Sequence, residues 1–195
     1  MTSLGWPAPA KLNLFLHIIG QRPDGYHLLQ TVFQFIQLCD FIDFTVLESG
    51  LIKRSSNNFG IDEENDLVIR AAQKIKEKTG SKLGVDIKVE KNIPVGGGLG
   101  GGSSNAATTL VALNELWQTG LSMQELGEIG LSLGADIPFF INGKTAWAEG
   151  VGEKLVSIEL DEGFYLVISP GCSVSTKAVF QASDLTRNTP RITIR

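Results

Sequence analysis

Residues 94–106 read PVGGGLGGGSSNA, six glycines in seven positions followed by two serines and an asparagine. Each glycine in regular structure costs about 0.5–1 kcal/mol relative to alanine, so this stretch must serve a need for positive φ or for close approach to bare backbone. An alternating segment precedes it and a helical pattern follows it. Strand, glycine loop and helix N-terminus in succession form an anion site, in which exposed N–H groups converge and the helix dipole adds positive potential. Lys91, three residues before Pro94, can add a full charge. A phosphate is the natural guest. A flexible linker does not run from a strand straight into a capped helix.

Two common phosphate loops fit the sequence poorly. Gly97 and Gly102 have the separation of GxxxxGK[ST], but Ser103 stands where the lysine is required. GxGxxG is matched formally at Gly96, Gly98 and Gly101, as any run so rich in glycine would match it. The acidic residue about 20 positions on, Glu115, falls inside the following helix instead of at the end of a second strand, so a dinucleotide oxidoreductase is disfavoured.

The elements that must hold this loop are legible from periodicity. Residues 11–20 are β-rich, with Lys11 and Asn13 on the face opposite Leu12 and Leu14. Pro-Asp-Gly places a loop over 21–27. Two strand-like runs follow, near 30–38 and 41–47. The pattern then becomes helical from Asp66, with Leu67, Ile69, Ala71, Ala72 and Ile75 on one face and Gly80 as the C-terminal stop. Val85, Ile87 and Val89 alternate with charged residues in a strand with one wet face. After the glycines comes a helix capped by Ser103 or Ser104, then another in which Ser122 and Glu125 have capping-box spacing. Residues 135–159 read as a turn and short strands, and GFYLVISPG, 163–171, as a further strand. The order is α+β.

The chain has 195 residues, 43% of them hydrophobic, and a net charge of −4 with dispersed lysines and arginines. That balance excludes a generic nucleic-acid binder, whose affinity comes from clustered basic residues. Cys39 and Cys172 have neither zinc nor disulfide-framework spacing and read as reduced thiols. No signal peptide and no apolar run of membrane-spanning length is expected, and the expected location is cytoplasmic.

The string from Pro94 to Ala106 resembles the phosphate loop of the galactokinase, homoserine kinase, mevalonate kinase and phosphomevalonate kinase (GHMP) superfamily, with Pro94, Gly98, Leu99, Gly100, Gly102, Ser103, Ser104 and Ala106 in register. Within it, PAPAKLNLFLHIIGQRPDGYHLLQTVFQ (7–34) and GADIPFF (134–140) are similar to the 4-diphosphocytidyl-2-C-methyl-D-erythritol kinases, over about residues 6–190. The resemblance implies an N-terminal ATP-binding domain of ribosomal-protein-S5-like fold over 1–160 and the start of a ferredoxin-like C-terminal domain over 161–195. Family members are longer, and their second glycine-rich motif has no counterpart here.

The resemblance also implies roles. Asp136 matches the family's catalytic base and Lys11 its partner; read alone, Asp136 is a turn or cap residue and Lys11 an exposed strand lysine. ATP would be bound by Lys91, Pro94, Val95, Gly96, Gly97, Gly98, Leu99, Gly100, Gly101, Gly102, Ser103, Ser104 and Asn105, with Ser103 on Mg²⁺. Asn65 and Asp66 lie near a position that contacts adenine or its ribose. The substrate, a small molecule carrying cytidine diphosphate, would meet Asn13, Tyr26, His27, Phe33 and Phe180, with Tyr26 and Phe180 sandwiching the cytosine and Phe33 equally readable as core. Glu149 reads as a strand-end carboxylate. The expected assembly is a monomer or homodimer without nucleic-acid or membrane partners. The alternatives are another alcohol kinase of the superfamily and a nucleotide-binding fragment without catalysis.

Overall fold

The computed structural model describes residues 1–56, 61–161, 163–169 and 176–193; Cys172 lies outside them. Two long strands, β1 (Thr2–Gln21) and β2 (His27–Leu47), form an antiparallel hairpin closed by the Pro-Asp-Gly turn. Pro7 and Pro9 are accommodated because β1 pairs with β2 alone among the described residues, leaving an edge where a missing N–H costs no ladder bond. Register shifts after Pro9 and Asn13 bend β1 on both sides of Lys11.

The other edge of β2 is shared. Its first half pairs with β5 (Ala146–Gly150), which pairs in turn with β6 (Lys154–Ser157). Its second half pairs with β4 (Gly84–Glu90), and short β3 (Ile52–Arg54) lies parallel to β4. Four helices accompany the sheet: α1 (Leu67–Thr79), α2 (Gly101–Leu116), α3 (Met123–Leu133) and α4 (Ile137–Asn142). Alternation in β4 turns Val85, Ile87 and Val89 inward beside Ile42 and Phe44 of β2. Facing them are Ala71, Ala72 and Ile75 of α1 and Ala106, Leu110 and Leu113 of α2, in one core between sheet and helices. Burying a leucine of this kind contributes about 1.5–3 kcal/mol. Gly80 closes α1 at φ 68°, and Ser122 and Glu125 form the full capping box of α3.

Several expectations are corrected. The runs at 30–38 and 41–47 are one bent strand, because both halves find partners on both sides. Neither Ser103 nor Ser104 caps α2; the helix begins at Gly101 after Gly100 in the left-handed region, where glycine replaces a side-chain cap. The turn expected after Gly134 is the helix α4, with Pro138 in its first turn, where its missing N–H is no loss. Residues 163–169 keep the alternation of a strand but pair with nothing among the described residues, and Phe164, Leu166 and Ile168 are exposed. A strand needs a neighbouring edge. Beyond them lies α5 (Thr176–Gln181).

Candidate active site

Lys11 lies where three structures meet. Its backbone N–H donates to Leu99 O at 3.0 Å, which fastens β1 to the glycine loop. Its side chain is buried, and Nζ lies 3.3 Å from Asp136 Oδ2. The same ammonium donates to Asn13 Oδ1 at 2.5 Å and sits 4.9 Å from the centroid of the buried Phe33 ring. Asn13 Nδ2 donates to Thr31 Oγ1 at 2.9 Å, and Thr31 Oγ1 donates to Phe15 O at 2.5 Å.

Asp136 occupies the N-cap position of α4, yet its side chain makes no cap hydrogen bond. The carboxylate reaches Lys11 instead, with about a third of its side-chain surface exposed. The two phenylalanines after Pro138 explain this placement. Phe139 is fully buried in a ring cluster, stacked on Phe35 at 4.4 Å and tilted against Phe33 at 4.8 Å. Phe140 turns to the glycine loop, where a Cβ on Gly100 would fall 2.7 Å from its Cζ. Burial of two aromatic rings therefore sets where the helix starts and where Asp136 points.

The glycine loop alternates in handedness, with φ of 76°, 72° and 73° at Gly96, Gly98 and Gly100. Alternation of this kind turns successive N–H groups toward one concavity. The first turn of α2 adds N–H groups that have no acceptor within the helix. Two buried polar atoms there, Ser104 Oγ and Asn105 Oδ1, have no hydrogen-bond partner among the described residues. A small cavity of about 170 Å³ opens between this loop and residues Arg54, Asn65 and Asp66. The donor set suits a polyanion.

Two buried ion pairs frame that cavity. Asp40, fully buried in β2, accepts from the N–H groups of Asn92 and Ile93 at 2.7 and 2.8 Å and pairs with Lys91. Lys91 thus stands beside Gly101 with its charge already matched by Asp40. Asp66 caps α1 through Val68 N and pairs with Arg54 at 2.5 Å. Next to Asp40, the Cys39 thiol is pushed up from its ordinary pKa, first by burial and then by that carboxylate.

A wider cleft of about 990 Å³ runs from Lys11 and Asp136 to the turn after β1. Tyr26 stands at its far end, 62% exposed. His27 stacks on Phe180 with ring centroids 5.0 Å apart and planes at 25°. The Phe180 ring therefore lies against His27. Arg187 holds that corner: Nε donates to His27 Nε2 at 3.2 Å, and the terminal nitrogens donate to the carbonyls of Phe180, Ala182 and Leu185. Glu149 lies within β5 and accepts from Gln30 Nε2 at 2.6 Å.

The structure thus gathers Lys11, Asn13, Phe33, Asp136 and Gly98 at one end of the cleft, and Tyr26, His27 and Phe180 at the other. Asp40, Thr31 and Arg187 escape sequence reasoning. Asp40 carried a weak signal, a lone carboxylate between two apolar runs; the other two carried none. Among the described residues no group of three or more His, Cys, Asp or Glu is placed to hold a metal, and no helix is long and apolar enough to cross a membrane.

The family described as GHMP kinases N terminal domain matches residues 66–144. The 4-diphosphocytidyl-2-C-methyl-D-erythritol kinase of Shewanella pealeana is 59% identical over 193 residues, 98% of this chain and 68% of that protein. A crystal structure of 4-(cytidine 5'-diphospho)-2C-methyl-D-erythritol kinase superposes with a TM-score of 0.77 at 40% identity, covering 93% of this chain and 64% of that one. The homoserine kinase of Cytophaga hutchinsonii, at 17% identity and a TM-score of 0.61 over 82% of this chain and 55% of that one, shares the fold. The chain therefore spans about two thirds of the length of the relatives it matches.

Proposed function

The chain belongs to the 4-diphosphocytidyl-2-C-methyl-D-erythritol kinases of the GHMP kinase family, and we propose that it transfers the γ-phosphoryl group of ATP to the 2-hydroxyl of 4-diphosphocytidyl-2-C-methyl-D-erythritol, an isoprenoid precursor, releasing ADP. The observation that carries this reading is the Lys11–Asp136 pair beside a glycine loop for whose N–H groups no backbone acceptor occurs among the described residues.

Phosphoryl transfer asks a protein for positioning and charge stabilisation. The nest at Gly96–Gly100 and the start of α2 bind the phosphate oxygens, and the left-handed glycines let the nucleotide approach the backbone. Asp136 accepts the hydroxyl proton as the substrate oxygen bonds to the γ-phosphorus and the bridging oxygen leaves with ADP. Lys11 holds the reacting oxygen in line, with one of its three protons given to Asn13 and its charge paired with Asp136. Both groups are held before substrate arrives, so little reorganisation is needed at the moment of transfer. Mg²⁺ fits a site where Ser103 and the phosphates would supply oxygens and water the rest, and it would neutralise charge on the nucleotide.

At the other end of the cleft, Tyr26 offers an exposed ring on which a pyrimidine stacks, since every base presents a π-face. His27 offers ring nitrogen to the base edge. We read residues 1–160 as the ATP-binding domain, 161–195 as leading into a second domain, and the protein as a cytoplasmic monomer or homodimer.

The test is ADP production with Mg²⁺-ATP and the cytidine substrate, beside homoserine, mevalonate and galactose as competing acceptors. Turnover with the cytidine compound alone is expected. Turnover on another alcohol, or on none, contradicts the assignment.

A further inference from the structure

The hydrogen bonds beneath Lys11 run in a single direction. At one end stands an ammonium, which only donates; at the other stands Phe15 O, a backbone carbonyl, which only accepts. Between them lie two groups able to do both, the Asn13 amide and the Thr31 hydroxyl. The carbonyl takes the one proton of Thr31. The Thr31 oxygen is then left to accept, so it takes Asn13 Nδ2–H. That leaves Asn13 Oδ1, and not its NH₂, facing Lys11. A reversed amide would set two donors against each other at the ammonium. Thr31 is fully buried, and its backbone lies in β2 opposite Leu16 of β1 and Ala148 of β5.

From this chain we infer that Thr31 is a positioning residue for phosphoryl transfer: acting through Asn13, its hydroxyl fixes the direction and place of the Lys11 ammonium. The inference rests on the function proposed above but concerns a residue that touches neither nucleotide nor acceptor. Lys11 has four side-chain carbons and would otherwise keep much rotamer freedom. Asp136 alone restrains it loosely, at 3.3 Å and from a helix end about a third exposed. The Asn13 contact at 2.5 Å is the tighter of the two, and among the described residues the Asn13 amide nitrogen donates to Thr31.

Thr31→Val keeps the shape and removes both the donor and the acceptor; Thr31→Ser keeps both and removes a methyl group. The first measurement needs no turnover: exchange of the Asn13 side-chain amide protons with solvent, by ¹⁵N–¹H NMR. We expect slow exchange in the parent and in Thr31→Ser, and at least tenfold faster exchange in Thr31→Val, on the order of a lost structural hydrogen bond. The second is steady-state kinetics. Thr31→Val should lower kcat by about tenfold to a hundredfold, the scale of a misplaced reacting group, with the KM values for ATP and acceptor little changed. Thr31→Ser should recover most of it.

A Thr31→Val protein with the parent's Asn13 exchange and kcat overturns the inference. So does one in which kcat falls equally in the serine variant, because that marks packing as the cause. If the parent itself phosphorylates nothing, the proposed function fails, and the Asn13 exchange comparison still decides whether Thr31 orients the amide.

Discussion

The two ends of the cleft are built differently. At the phosphoryl end, each functional group is tied to the core by short bonds from different elements: Lys11 to the loop through Leu99 O, Asp136 to Lys11, and the loop approach to Asp40. At the base end, Tyr26 is exposed on a turn, and Phe180 is held by a segment without strand pairing among the described residues. That segment is fastened at a few points: Arg187 on His27, Thr189 N on Ile18 O at 2.9 Å, and Ile192 on Gln30 at both its N–H and its carbonyl. Few buried apolar contacts and isolated hydrogen bonds mark regions of low local stability. On the proposed function, the chemistry is thus preset by the core, whereas base recognition depends on where a peripheral strap lies.

The comparison breaks most severely at the loop. Gly100→Ala asks for a Cβ at φ 73°, 2.7 Å from Phe140 Cζ and 3.1 Å from Lys11 Cγ. Neither Phe140 nor Lys11 can yield without moving the site, so kcat/KM should fall by about a hundredfold or more. Steady-state assays together with a thermal melt would separate lost chemistry from lost fold.

Lys91→Ala addresses stability. It strands the fully buried Asp40 and should cost about 3–5 kcal/mol in denaturant unfolding, the usual penalty for an uncompensated buried charge. Adding Asp40→Asn should restore part of that loss. A cost below about 1 kcal/mol would place the pair among solvated ones.

Arg187→Ala sharpens the contrast. It removes the hydrogen bonds that hold Phe180 and His27, each worth about 1.5–3 kcal/mol when charged. The expected result is a KM for the cytidine substrate raised about tenfold or more, with the KM for ATP unmoved. An equal rise in both would mean that the strap supports the whole cleft.

The smallest effect is expected at a control far from both ends. The Glu125 carboxyl is held below its ordinary value of 4.5, first by the backbone N–H of Ser122 and then by its hydroxyl. A lowered folded-state value contributes stability above the unfolded one and loses it as pH falls through the folded value. Glu125→Gln should therefore flatten the stability profile below about pH 4.5 and leave activity alone.

Much of the phosphoryl end was legible in the sequence because its signals are local. The glycine run, the shared face of Lys11 and Asn13, and the helix ending at Gly80 each follow from spacing within a few residues. The Lys11–Asp136 pair did not, since the two lie 125 positions apart and Asp136 alone reads as a cap. Resemblance supplied that pair, and the burial of Phe139 and Phe140 accounts for it physically. Thr31 was invisible because a buried threonine in a strand is ordinary until its hydroxyl is seen between Asn13 and Phe15. The strand expected at 163–169 failed for a different reason. Alternation encodes a face, not a partner, and residues 163–169 pair with no described strand.

The most direct test of the account is Asp136→Asn, with ADP production and equilibrium ATP binding measured on the same protein. General-base catalysis contributes about 10²–10⁴-fold, so turnover should drop by that factor while ATP affinity, set by the glycine loop, stays unchanged. Undiminished turnover in Asp136→Asn would remove Asp136 from the chemistry and with it the claim that the Lys11–Asp136 pair activates the acceptor hydroxyl.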